Sequence, residues 1–74
     1  MMIDYRWENR QKKRYYRIFL SQDLFGDLVL TKVWGGLGTA TGRIVHVYCD
    51  STEHANKLIA EIFKTRDKRG YDLC

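Results

Sequence analysis

Proline is absent from the sequence, so no chain reversal is set by a locked φ, and turns must rest on Gly, Asp and Asn. Cysteine is scarce: Cys49 ends an apolar run and Cys74 is the last residue, where chains tend to fray. One bridge between them is the only internal disulfide available, and nothing else suggests an oxidising compartment. Both are expected as free thiols in a reducing cytoplasm. No apolar run approaches the ~20 residues that span a bilayer. The opening Met-Met-Ile-Asp-Tyr-Arg lacks the basic-then-apolar layout of a signal peptide, so neither export nor a membrane is expected.

Catalytic chemistry is equally short of parts. His46 and His54 are the only histidines, and Ser21 and Ser51 have no elbow or base at a recognised spacing. The chain is therefore expected not to be an enzyme. His46 and Cys49 lie three apart in a strand-like run and point to opposite faces, so they do not share a metal ion with His54. No metal and no cofactor is expected.

What is present is an ordinary globular composition, 45% hydrophobic and 30% charged over 74 residues, enough for one domain with a marginal core. The formal charge is +4, and its distribution matters more than its size. Arg6, Arg10, Lys12, Lys13, Arg14 and Arg17 crowd the first seventeen residues, and Lys64, Arg66, Lys68 and Arg69 crowd the end. Two basic poles around a nearly neutral middle suit a polyanion, although a solvated charged surface looks the same in sequence.

Hydrophobic periodicity predicts four strands and one helix. Residues 3–8 alternate, with Ile3, Tyr5 and Trp7 on one face, and residues 9–13 form a polar turn. A Tyr- and Ile-rich run over 14–22 favours strand. Asp23-Leu24-Phe25-Gly26-Asp27 is a hairpin connection in which Leu24 and Phe25 are expected to tuck under the sheet edge. Strands over 28–34 and 43–49 follow. Asp50 or Ser51 caps the helix, with Glu53 reaching back in a capping box. Ala55, Leu58, Ile59, Ile62 and Phe63 make its buried stripe. The cations near its end suit the helix dipole, and Gly70 stops it with Tyr71 folded back. The result is an α+β domain, an antiparallel sheet of about four strands with one C-terminal helix across one face.

Between the third and fourth strands stands Trp34-Gly35-Gly36-Leu37-Gly38-Thr39-Ala40-Thr41-Gly42. A flexible connection with Trp34 half buried at its root accounts for this stretch. The spacing is GxGxxxG and leads into a strand, which excludes the dinucleotide and Walker loops, both of which need a helix N-terminus there. A shallow anion nest of backbone N–H groups, aided by Thr39 and Thr41, remains open. Lys32 shares a face with Trp34, which suits nucleic-acid contact and equally suits a lysine stem lying over an indole.

Trp34-Gly35-Gly36-Leu37-Gly38-Thr39 resembles the Trp-Gly-Arg-(Val/Ile)-Gly-Thr core of the WGR domain. Arg14-Tyr15-Tyr16-Arg17, the Asp23–Gly26 turn of small bacterial members, Ser51-Thr52-Glu53, Ala55 and Lys68-Arg69-Gly70-Tyr71 agree with it over nearly the whole chain. The resemblance implies a sheet with a helix across one face and a role with nucleic acid, DNA before RNA. In the DNA-damage-responsive poly(ADP-ribose) polymerases this domain sits at a DNA end, its tryptophan packing on a terminal sugar. Carried over, Trp34 is the stacking position, Gly35 and Gly38 allow close approach, and Thr39 closes the motif. Gly36 stands where the family has arginine, the residue that links DNA contact to neighbouring domains there. Lys32 and Arg43 are the cations beside the motif, and Lys12, Lys13 and Arg14 are candidates for phosphate. The alternative is a protein-interaction module that keeps the fold without the nucleic-acid site, built on Leu24, Phe25, Tyr5 and Trp7.

Overall fold

The computed structural model describes residues 3–39 and 42–74. The first strand, β1, is Ile3–Asn9, and β2 is Arg14–Gln22. Two more, β3 (Leu28–Gly36) and β4 (Gly42–Cys49), lead into helix α1 (Thr52–Lys68). A fifth strand, β5 (Asp72–Leu73), follows the helix. All pairings are antiparallel in the order β4-β3-β2-β1-β5. The sequence pattern gave four strands. The fifth is two residues long, too short to show periodicity, and it forms by pairing Trp7 with Leu73 and Glu8 with Asp72.

Alternation along each strand sends one set of side chains toward α1. Trp7, Ile18, Leu20 and Leu30 meet Ala55 and Ile59 there in the buried core. Trp7 is 2% exposed, and Phe63 of α1 packs edge-on against it at 4.9 Å and against Tyr5 at 4.8 Å. Neither Tyr5 nor Trp7 is therefore available for the protein-contact role considered above. Their rings anchor the helix instead.

The ends of α1 are set by local chemistry. The Ser51 hydroxyl accepts from the His54 N–H, as an N-cap should. The N–H of Asp50, one residue before the cap, donates to His54 Nδ1, so the side chain that reaches back is His54 and not Glu53. With Ser51 as cap, His54 occupies the third helical position from which a side chain reaches back. At the other end Tyr71 N–H donates to the Arg66 carbonyl and Gly70 N–H to that of Asp67. Those two bonds define a Schellman motif, with Gly70 at φ +78° supplying the left-handed residue. The helix thus stops short of the Trp34 end of the sheet.

The hairpin between β2 and β3 departs from expectation. Asp23 Oδ1 accepts from the N–H groups of both Phe25 and Asp27, closing the loop on itself. Leu24 and Phe25 are 100% and 88% exposed rather than tucked beneath the sheet.

Asn9, placed in a polar turn by the sequence pattern, ends β1 and is 6% exposed. Its Oδ1 accepts from the Lys12 N–H, and its Nδ2 donates to the Arg69 carbonyl. One side chain so ties the first basic turn to the cap of α1. Replacing it strands two backbone groups, which costs about 1–3 kcal/mol. Asn9→Ala is expected to lower stability by that amount in urea denaturation. Asn9→Asp keeps the acceptor for Lys12, loses the donor to Arg69, and should fall between.

Candidate nucleic-acid interface

The candidate site is built on one cross-strand row. Trp7 of β1 opposes Tyr16 of β2, Tyr16 opposes Trp34 of β3, and Trp34 opposes Arg43 of β4. All four project to the helix side of the sheet. Exposure rises along the row, from buried Trp7 through half-buried Tyr16 and Trp34 to exposed Arg43. Tyr16 and Trp34 lie nearly parallel, 14° apart with centroids at 5.8 Å, forming a half-buried aromatic shelf at the end of α1. Gly42 permits the close pairing there, since a Cβ would come within 2.9 Å of the Trp34 carbonyl oxygen.

Cations surround the shelf. Arg66, in the last turn of α1, holds its guanidinium 4.1 Å from the Tyr16 ring centroid and 4.8 Å from that of Tyr71. Such contacts contribute roughly 0.5–2 kcal/mol each, and the Schellman turn puts Tyr71 where it can make one. Arg66 Nε is buried and has no hydrogen-bond partner among the described residues. A hollow of about 350 Å³ joins Arg66, Arg69, Arg14 and Lys32 with Tyr16, Trp34, Tyr71 and Val45. It holds four cations and no acid. A neighbouring hollow continues over Gly35, Gly36 and Arg43, and another joins Lys12 to Arg14, Arg69 and Tyr71. A further hollow, which shares Tyr16, Lys32 and Arg66 with the first, has Glu61 of α1 in its lining.

Ion pairs separate this face from the other. Arg17 forks onto Asp4, with Nε–Oδ1 at 2.9 Å and Nη2–Oδ2 at 2.6 Å, and Arg6 and Arg10 flank Glu8. The Arg17 bonds hold the Asp4 carboxyl below its usual value. Among the described residues, Arg14, Lys32, Arg43, Arg66 and Arg69 make no ion pair. Lys12, Lys13, Lys57, Lys64 and Lys68 make none either, and what distinguishes the shelf is that four unpaired cations share one hollow with its rings.

Of the residues singled out in the sequence, Trp34, Lys32 and Arg14 line the main hollow, with Gly35, Arg43 and Lys12 in its extensions. Gly38, Thr39 and Lys13 fall outside that lining. Lys13 adopts φ 54° and its carbonyl accepts from the Leu37 N–H, while the Thr39 hydroxyl donates to the Gly36 carbonyl. Thr41, the other hydroxyl of the proposed nest, lies outside the described residues. Tyr16, Arg66, Arg69 and Tyr71 were not singled out. Their signal was the second basic pole, which the helix dipole alone was enough to explain.

No group of three His, Cys, Asp or Glu is placed to hold a metal ion among the described residues. Within them, no helix is long and apolar enough to cross a membrane.

With the motif tryptophan on this sheet and helix, a family comparison becomes informative: the model described as WGR domain matches residues 2–73. The chain belongs to the WGR domain family. A relative is the uncharacterized protein y4dW of Sinorhizobium fredii (strain NBRC 101917 / NGR234), 35% identical over 63 residues. The matched region is 85% of this chain and 30% of that protein, so the chain spans less than a third of its relative. No solved structure gives a significant match. Where other WGR domains carry the motif arginine, this one has Gly36, and the residue directly opposite on β2 is Arg14.

Burial pushes the Tyr16 phenol above its ordinary value of 10.0, and the Arg66 charge partly opposes the rise. The neutral phenol is thus favoured in the folded state. Its contribution to stability is intact below pH 10 and fades as pH climbs through the folded-state value. Ultraviolet titration should show one late tyrosine that disappears in Tyr16→Phe. Arg66→Gln should move it later still.

Proposed function

We propose that this WGR domain is a binding module for nucleic acid, taking DNA in preference to RNA by its backbone or an end, without reading base sequence. The observation that supports it is the convergence of Arg14, Lys32, Arg66 and Arg69, all without acid partners, around the Tyr16–Trp34 shelf. Phosphates supply the charge that four such cations lack, and a sugar or base supplies the flat surface for an indole. Preference for DNA rests on the likeness to the polymerase domains. Arg14, across from Gly36, takes the place of the missing motif arginine as a phosphate partner, with Arg43 beside it. Gly35, Gly38 and Thr39 shape the backbone approach, and Lys12 and Lys13 extend the basic margin. The free thiols Cys49 and Cys74 support a cytoplasmic setting.

A second reading, a protein-interaction module, is favoured by the outward Leu24 and Phe25 at the far hairpin. Phe25→Ala would abolish such a contact and leave DNA binding intact.

Fluorescence anisotropy with blunt, nicked and single-stranded DNA at two ionic strengths tests the first reading. Trp34→Ala is expected to weaken binding by about 1–3 kcal/mol. Arg66→Gln and Arg69→Gln should each flatten the log affinity against log salt slope by roughly 0.7–0.9. Absence of binding at low salt, or affinity unchanged in Trp34→Ala, overturns it.

A further inference from the structure

The outer edge of β4 is unguarded. It ends the sheet on one side, while the other side ends in the two-residue β5. Short strands, proline, bulges and charges are the usual devices against edge pairing. β4 has eight residues, no proline, an uninterrupted register with β3 and one charged residue, Arg43. Ile44, Val45 and Tyr48 are 64%, 40% and 65% exposed.

We propose that β4 pairs antiparallel with β4 of a second copy of this chain, about a two-fold axis at His46, making one ten-stranded sheet. Cross-strand neighbours project to the same face. With both helices on one side of the joined sheet, paired residue numbers must then sum to an even value. The register centred on His46 sets Ile44 against Tyr48 of the second copy, and Tyr48 against its Ile44. It covers both exposed apolar residues that β4 shows on the helix-free face and pairs residues 43–49 with one another. Shifting the axis by one residue uncovers one of them.

Charge favours the same occupant. In this register Arg43 of the second copy lies opposite Cys49, adjoining Asp50, whose side chain is 98% exposed, and Glu53 in the first turn of α1. Within its own chain Asp50 has His54 Nδ1 at 3.9 Å, and each copy adds a permanently charged guanidinium to the other's acidic corner. The two Arg43 residues stand six strand positions apart, roughly 20 Å along the strand, so they do not repel closely. An arbitrary foreign strand satisfies neither condition.

Sedimentation of the chain without nucleic acid, over a wide concentration range, tests this apart from any DNA role. The expected species has twice the 8.8 kDa chain mass. Ile44→Lys should return it to monomer with an unchanged circular dichroism spectrum and a urea midpoint that no longer depends on protein concentration, and Leu24→Lys should leave the dimer intact. In a Cys74→Ser background, His46→Cys should oxidise to a covalent dimer, because antiparallel partners sit ~4.5–5.5 Å apart at Cα, within disulfide range. Tyr48→Cys should not, since its partner is Ile44. A monomer at every concentration, a dimer indifferent to Ile44→Lys, or linkage through Tyr48→Cys in preference to His46→Cys overturns the proposal.

Discussion

A buried amide helps to hold the two basic ends of this chain together, beside the pairing of β5 with β1. Asn9 gives its oxygen to the turn that carries Lys12 and its nitrogen to the carbonyl of Arg69. Sixty residues of sequence separate Asn9 from Arg69. Drawing like charges together is unfavourable, and the structure offsets it with uncharged hydrogen bonds and ring contacts instead of carboxylates. Two of the nine acidic residues are spent elsewhere, Asp4 on Arg17 and Glu8 between Arg6 and Arg10. A face that is positive and uncompensated is the outcome, and it lies where the helix fails to cover the aromatic row.

That row shows how one structural idea serves both core and surface. Trp7 and Trp34 occupy equivalent positions in the sheet, two strands apart and bridged by Tyr16. Phe63 of α1 seals the first, whereas the Schellman turn ends the helix before it reaches the second. The length of α1 therefore decides which indole is core and which is open. Within the WGR family this also bears on Gly36. With glycine at position 36, the cations around the shelf come from β2, β3 and the end of α1 rather than from the loop.

Much of this was legible before any coordinates. The alternation in residues 3–8 and the stripe from Ala55 to Phe63 are strong periodic signals, and both elements lie where those signals put them. The glycine-rich motif identified the family. What escaped were features created by pairing between distant residues. β5 exists only because β1 offers it an edge. Asn9 looks like any turn residue until its two partners are known. Arg66 and Arg69 belong to the shelf because Gly70 turns the chain there, and in sequence the helix dipole was sufficient reason for them. Leu24 and Phe25 misled in the opposite direction, since hydrophobicity argued for burial and Asp23 closed the loop with nothing to cover them.

The groove takes its floor from residues between Arg14 and Arg43 and its far wall from Arg66 to Tyr71. A domain of this kind folds as a unit, so floor and wall meet only when the helix has docked on the sheet. Whatever loosens the turn at Gly70 therefore loosens the groove along with the end of the helix.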